Sequence, residues 1–246
     1  MNDCILKIEN VNKTFHLGRN QKVQALSEIC LSVPKDTIVG LVGANRAGKS
    51  TLLKIILGLI KADSGSVTRF DKPITNRSTL KYIGAVLESP VFPPYLSPTD
   101  ILNTLGSLAG IHSEFLPSLI SEALTKVGLD DRKTQRIAGF SRGMTQRLLI
   151  AQAILANPDL LILDEPFEGL DFEGKQKIFE LLTDWRKHGR SVIIVSHELE
   201  DLENICDRVV MLARGRIIRD DSMESWRGNS HGPFLQKAMQ DLDRIT

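Results

Sequence analysis

The chain lacks any run of ~18 apolar residues that could span a bilayer. Its longest candidate, Leu52 to Ile60, is short and carries Lys54. Any association with a membrane is therefore expected to come through a partner. The start does not read as a signal peptide either: Asp3 and Glu9 interrupt it, and Ile5-Leu6-Lys7-Ile8 reads as a strand. Cysteine is scarce. Cys4, Cys30 and Cys206 are odd in number, scattered, and share no metal-site spacing. That disfavours a disulfide framework and predicts reduced thiols in the cytosol. An excess of either charge is missing too, since 31 Lys+Arg face 30 Asp+Glu. No surface built to wrap nucleic acid is expected, and no direct nucleic-acid partner. There is no internal repeat. With 42% hydrophobic and 25% charged residues, the 246-residue chain suits one large globular domain.

Against this plain background, Gly43-Ala44-Asn45-Arg46-Ala47-Gly48-Lys49-Ser50-Thr51 fits the phosphate-loop pattern G-x-x-x-x-G-K-[ST]. The apolar run Ile38–Val42 precedes it and a helical pattern, Leu52–Leu57, follows. That strand–loop–helix context predicts a nucleoside triphosphate site. Backbone N–H groups of Gly43 to Lys49 face the β- and γ-phosphates, Lys49 adds a positive charge, and the Ser50 hydroxyl can ligate Mg²⁺. Arg46 stands where glycine is usual.

The remaining pattern predicts an α/β fold: a phosphate-loop NTPase core with a mostly parallel sheet, an N-terminal antiparallel β subdomain and a helical insertion. Cys4–Ile8 and Ile29–Val33 read as strands around a turn at Gly18-Arg19-Asn20. Val67–Phe70 and Tyr82–Leu87 are further strand candidates. Four prolines between Pro90 and Pro98 open a helical stretch, so residues 89–140 read as the insertion. The core is assigned to 1–88 and 141–227, and 228–246 form an unassigned polar tail. Leu160–Leu163 and Ser191–Val195 are apolar enough for buried parallel strands, with an amphipathic helix, Gly174–Lys187, between them. Val209–Leu212 and Arg216–Ile218 flank Arg214-Gly215 as a hairpin.

Polar residues at the ends of those buried strands supply the expected chemistry. Asp164 can hold Mg²⁺ and Glu165 can act as general base on the attacking water. His197, after the Ser191–Val195 strand, can donate an imidazole N–H to the transferring oxygens. Glu165, His197 and Lys49 make the expected catalytic set, with Asp164 and Ser50 on the metal.

From about Ile5 to Ile218 the order of these features resembles the nucleotide-binding subunit of an ATP-binding cassette (ABC) transporter. Ser141-Arg142-Gly143-Met144-Thr145-Gln146-Arg147 resembles that family's signature motif, which opens a helix ahead of Ala156-Asn157-Pro158. The resemblance implies that Ser141 and Gly143 hold the γ-phosphate of a nucleotide on the opposite subunit, and that Asp171, in Gly169-Leu170-Asp171, crosses the same interface. It implies Phe15 stacked on adenine. It implies Glu88, where glutamine is usual, in a loop that senses Mg²⁺ and joins the core to the insertion. The Glu88 loop and the Ser-Arg-Gly-Met form of the signature resemble single-domain exporter ATPases of the bacitracin and lantibiotic resistance type. Implied partners are a second ABC subunit, identical or not, and an integral membrane permease that keeps the chain on the cytoplasmic face of the membrane. The alternatives are a soluble cassette acting on ribosomes or DNA, and a low-turnover regulatory module. Two departures bear on turnover: Arg46, and Phe167 in place of the usual Thr.

Overall fold

The computed structural model of the chain describes residues 4–16, 21–87 and 92–227. Two compact units divide it: the described residues up to Leu80 together with those from Ile193, and Lys81–Val192.

The first unit opens with two long strands, β1 (Cys4–His16) and β2 (Lys22–Pro34), then β3 (Ile38–Val42), α1 (Lys49–Ile56), β4 (Ser64–Arg69) and the short β5 (Lys72–Pro73). Strands β2, β1, β4 and β5, in that order, form an antiparallel sheet. Alternation such as Leu6 in, Lys7 out, Ile8 in fits a sheet with one face on a core. Both long strands run beyond the expected segments. Asn10 and Glu28 lie at positive φ beside shifts of the β1–β2 register, so bulges carry the pairing on where alternation lapses. The Gly18–Asn20 turn falls outside the described residues.

The second unit contains β6 (Ile83–Val86), α2 (Pro98–Leu108), α3 (Leu116–Lys126), α4 (Arg142–Ile154), β7 (Leu160–Asp164) and α5 (Phe172–Lys187). Strands β6 and β7 pair in parallel. Tyr82 belongs to a 3₁₀ turn, Arg77–Tyr82, and not to the strand. A reciprocal cap starts α2: Asp100 N–H donates to Ser97 Oγ (3.2 Å), and Ser97 N–H donates to Asp100 Oδ2 (2.9 Å). Pro98 then sits at the first turn, where its missing N–H costs nothing. In α5, Ile178, Leu181, Leu182 and Trp185 are buried on one face, as the periodicity predicts.

The boundary between the units falls within β8 (Ser191–Val195), whose five residues are all buried. The chain then returns to the first unit as α6 (Leu199–Ile205), β9 (Arg208–Ala213), β10 (Arg216–Ser222) and α7 (Met223–Arg227). Strand β3 pairs with β9 in parallel, and β9 with β10 antiparallel as the hairpin. Continuous apolar burial in β3, β7 and β8 is the mark of strands covered on both faces. The fold is the expected α/β type, with parallel core strands and an antiparallel N-terminal sheet.

Candidate functional site

In the first unit, residues 43–48 bridge β3 and α1. Gly48 has φ 111°, and a Cβ there would meet the Ala25 carbonyl oxygen at 2.6 Å, so only glycine fits. Three backbone hydrogen bonds fix the loop. Ala47 N–H donates to the Ala44 carbonyl (3.1 Å), Gly215 N–H donates to the Ala47 carbonyl (2.9 Å), and Ser27 N–H donates to the Gly215 carbonyl (2.7 Å). Loop, hairpin turn and β2 are thereby tied together.

Lys49 is buried, and its Nζ donates to the carbonyls of Gly43 (2.6 Å) and Ala44 (3.1 Å). The ammonium therefore lies folded over its own loop. No side chain caps the start of α1 and no acid occupies its first turn. Backbone N–H groups and the helix dipole there favour an anion. Ala44, Asn45 and Ser50 are exposed and Thr51 half-buried. Arg46 is exposed with φ 67°, and it has no hydrogen-bond or ion-pair partner among the described residues. The left-handed region costs a side-chain-bearing residue about 1–2 kcal/mol.

Phe15 is half-buried near the end of β1, with Lys13 Nζ 5.4 Å from its ring centroid. His197 is exposed beyond β8, in a turn where Glu198 N–H donates to Ser196 Oγ (3.0 Å).

The second unit gathers the other predicted residues. Asp164 ends β7, half-buried after four fully buried positions. Glu165 follows at φ 52°, also half-buried. Its carbonyl accepts from Gln146 Nε2 (2.9 Å) and from Glu168 N–H (3.2 Å). The backbone that carries the general-base candidate is thus clamped by a residue of the signature helix.

Ser141 is the N-cap of α4, its Oγ accepting from Met144 N–H (3.2 Å). Capping uses only an acceptor lone pair, and the hydroxyl proton stays available to donate to a phosphate. A Cβ on Gly143 would meet the Gly169 carbonyl oxygen at 2.7 Å, so glycine lets the start of α4 close on the loop after β7. Asp171 caps α5, accepting from Gly174 N–H (2.8 Å). Arg142 and Glu168 form an ion pair across this surface. Ser141, Gly143 and the 169–171 loop therefore meet on one face. Glu88 lies outside the described residues.

Two readings change here. Phe167, a departure next to Asp164 and Glu165 in sequence, is 1% exposed and packs on Phe179 with ring centroids 4.9 Å apart. It is core. Gln146, singled out above only as part of the motif, is buried with its side chain on the Glu165 carbonyl. Its one signal was a polar side chain in the first turns of a helix that then runs Leu148, Leu149, Ile150, and burial decides such a case, not spacing.

A family model described as ABC transporter matches residues 26–168, more than half of the chain. The chain belongs to that family. The lantibiotic transport ATP-binding protein SrtF of Streptococcus pyogenes is 35% identical to this cassette over 214 residues, covering 87% of this chain and 89% of SrtF. An uncharacterised ABC transporter ATP-binding protein of Synechocystis is 35% identical over 232 residues. The cassette is covered there to 93%, and it spans 66% of that relative's length. A solved ATP-binding subunit of an ABC transporter superposes with a TM-score of 0.80 at 25% identity, covering 98% of this chain and 97% of that one. This cassette is thus an ATP-binding, ATP-hydrolysing subunit of the ABC type, as its motifs predict. No helix among its described residues is long and apolar enough to cross a membrane.

Proposed function

We propose that this cassette, residues 1–246 acting as one ATPase domain, powers a separate membrane-embedded permease in export. Phe15 stacks on adenine, and Gly43 to Thr51 receive the phosphates. Ser50, Asp164 and Glu88 are hard oxygen donors that suit Mg²⁺, whose charge offsets that of the phosphate oxygens when bound. Glu165 takes a proton from water as the water oxygen attacks the γ-phosphorus. The bond from that phosphorus to the ADP oxygen breaks, leaving ADP and inorganic phosphate. Lys49 and the His197 N–H stabilise the oxygens in transfer.

Ser141, Gly143 and Asp171 serve the nucleotide of a second ABC subunit, the same chain or another. One observation carries this reading: the close approach of Gly143 to Gly169, which puts the signature helix start and the Asp171 loop on one surface of the second unit. The phosphate-loop residues, Gly43 to Thr51, lie in the first unit. The lantibiotic transport role named for SrtF supports a role in transport; export, and a permease that holds the chain at the cytoplasmic face of the membrane, belong to the proposal.

The test is steady-state hydrolysis by the purified chain with its permease in detergent or nanodiscs. Glu165→Gln is expected to lower kcat by at least about 10²-fold while ATP binding stays within about threefold. Turnover equal to wild type in that variant overturns the assignment.

A further inference from the structure

We propose that the side chain of Arg46 makes the phosphate loop discriminate nucleotides by their phosphate charge, and not by their base. The inference rests on the reading that Gly43 to Thr51 hold the phosphates. It concerns one charge that no loop backbone supplies.

Five observations converge. Arg46 sits at the tip of the turn closed by Ala47 N–H on the Ala44 carbonyl, and its φ of 67° is one that side chains rarely adopt. Ala47 is also anchored through its carbonyl to Gly215, which ties the backbone on the C-terminal side of Arg46. The Arg46 side chain is exposed and without a partner among the described residues. Lys49, by contrast, has its ammonium on the carbonyls of Gly43 and Ala44. Finally, the chain carries no Asp or Glu between Asp36 and Asp63, while Arg46, Lys49, Lys54 and Lys61 fall in that stretch. No local acid on this segment neutralises the guanidinium.

A guanidinium is always charged and presents a planar fork of donors that matches phosphate oxygens two at a time. Its attraction grows with the charge of the ligand, so a triphosphate gains more than a diphosphate, and a monophosphate least. The base lies at the far end of the ligand and is not sensed, so ATP and GTP gain alike. The interaction also makes binding more sensitive to salt, because it adds a screened charge pair.

The experiment measures ATP, ADP and GTP dissociation constants for the full chain without Mg²⁺, across a salt series. It compares wild type with Arg46→Asn, which tolerates positive φ without charge, Arg46→Gly, which removes charge and strain together, and Arg46→Lys, which keeps the charge. Loss of charge is expected to weaken ATP about tenfold, equivalent to ~1.4 kcal/mol, and ADP only about threefold. GTP should follow ATP, the salt slope should flatten in the Asn and Gly variants, and Lys should retain most of the affinity. A purely conformational role predicts the reverse for Gly: higher thermal stability with equal or tighter ATP binding. Unchanged ATP affinity and salt slope in both Asn and Gly variants overturn the proposal, as does a loss in Lys as large as in Asn. Lys49→Ala separates the two readings. If it too binds ATP as wild type does, the loop assignment fails; if it alone loses ATP, only the Arg46 inference fails.

Discussion

Replacing Phe167 with alanine is expected to destabilise the second unit and leave the chemistry of Glu165 in place. The ring is 1% exposed and meets Phe179 at 4.9 Å with an interplanar angle of 37°. Emptying such a site costs about 3–5 kcal/mol, of which the ring pair accounts for roughly 0.5–1.5. With a urea dependence of about 2–3 kcal/mol/M, the unfolding midpoint falls by about 1–2 M. Phe167→Leu keeps most of the volume and should cost only about 1 kcal/mol. The assay is urea unfolding followed by tryptophan fluorescence, since Trp185 is on α5, the helix that bears Phe179. Parallel ATPase measurements well below the transition complete it. In the leucine variant, turnover should stay within about twofold of wild type, because the ring faces the core. A midpoint shift below about 0.3 M in the alanine variant, with turnover lost in both, would refute the packing argument and put the ring at the site.

Gln146→Leu removes the side-chain donor to the Glu165 carbonyl, and kcat should fall about tenfold with KM within about twofold. A rise in KM with kcat intact would mean that Gln146 serves ATP binding and not the placement of the base. Asp63 accepts from Lys13 Nζ and from Thr14 N–H, both at 2.7 Å, and these bonds, the Lys13 one first, hold its carboxyl below the usual carboxylate range. A lowered folded-state value means that its contribution is complete above the ordinary carboxylate pKa and lost as pH falls through the depressed one. Asp63→Asn should therefore unfold at lower urea than wild type at pH 7, with the gap closing as pH falls below the ordinary carboxylate range. A gap that persists unchanged below that range contradicts the assignment.

Much of this site was legible in the chain itself, for reasons that differ from element to element. β3, β7 and β8 are covered on both faces, so they read as unbroken apolar runs, and their polar endings drew attention to Asp164, Glu165 and His197. The phosphate loop declares itself because tight turns and close backbone approach admit so few residue types. Other parts could not be read that way. α6 is seven residues long, begins with acids, and depends on burial of Leu202 and Ile205 that no periodicity announces. The extensions of β1 and β2 pass through bulges, where alternation breaks while pairing continues. Phe167 illustrates a subtler limit. Its place in sequence beside Asp164 and Glu165 points to proximity with those carboxylates, yet direction is a property of the backbone turn that follows Glu165. Gln146 is the converse, a residue inside a quoted motif whose partner lies nineteen positions away on another element.

The bonds that run from Ser27 through Gly215 to Ala47 bear on the timing of nucleotide capture. A loop anchored in this way has already surrendered its conformational freedom during folding. An arriving polyphosphate then meets a finished cradle, and its binding energy is not consumed in ordering glycine-rich chain. In the proposed role, the Lys49 ammonium exchanges its bonds to the Gly43 and Ala44 carbonyls for a phosphate. On that reading, capture is an exchange of partners by one buried ammonium within a loop whose backbone bonds are already made.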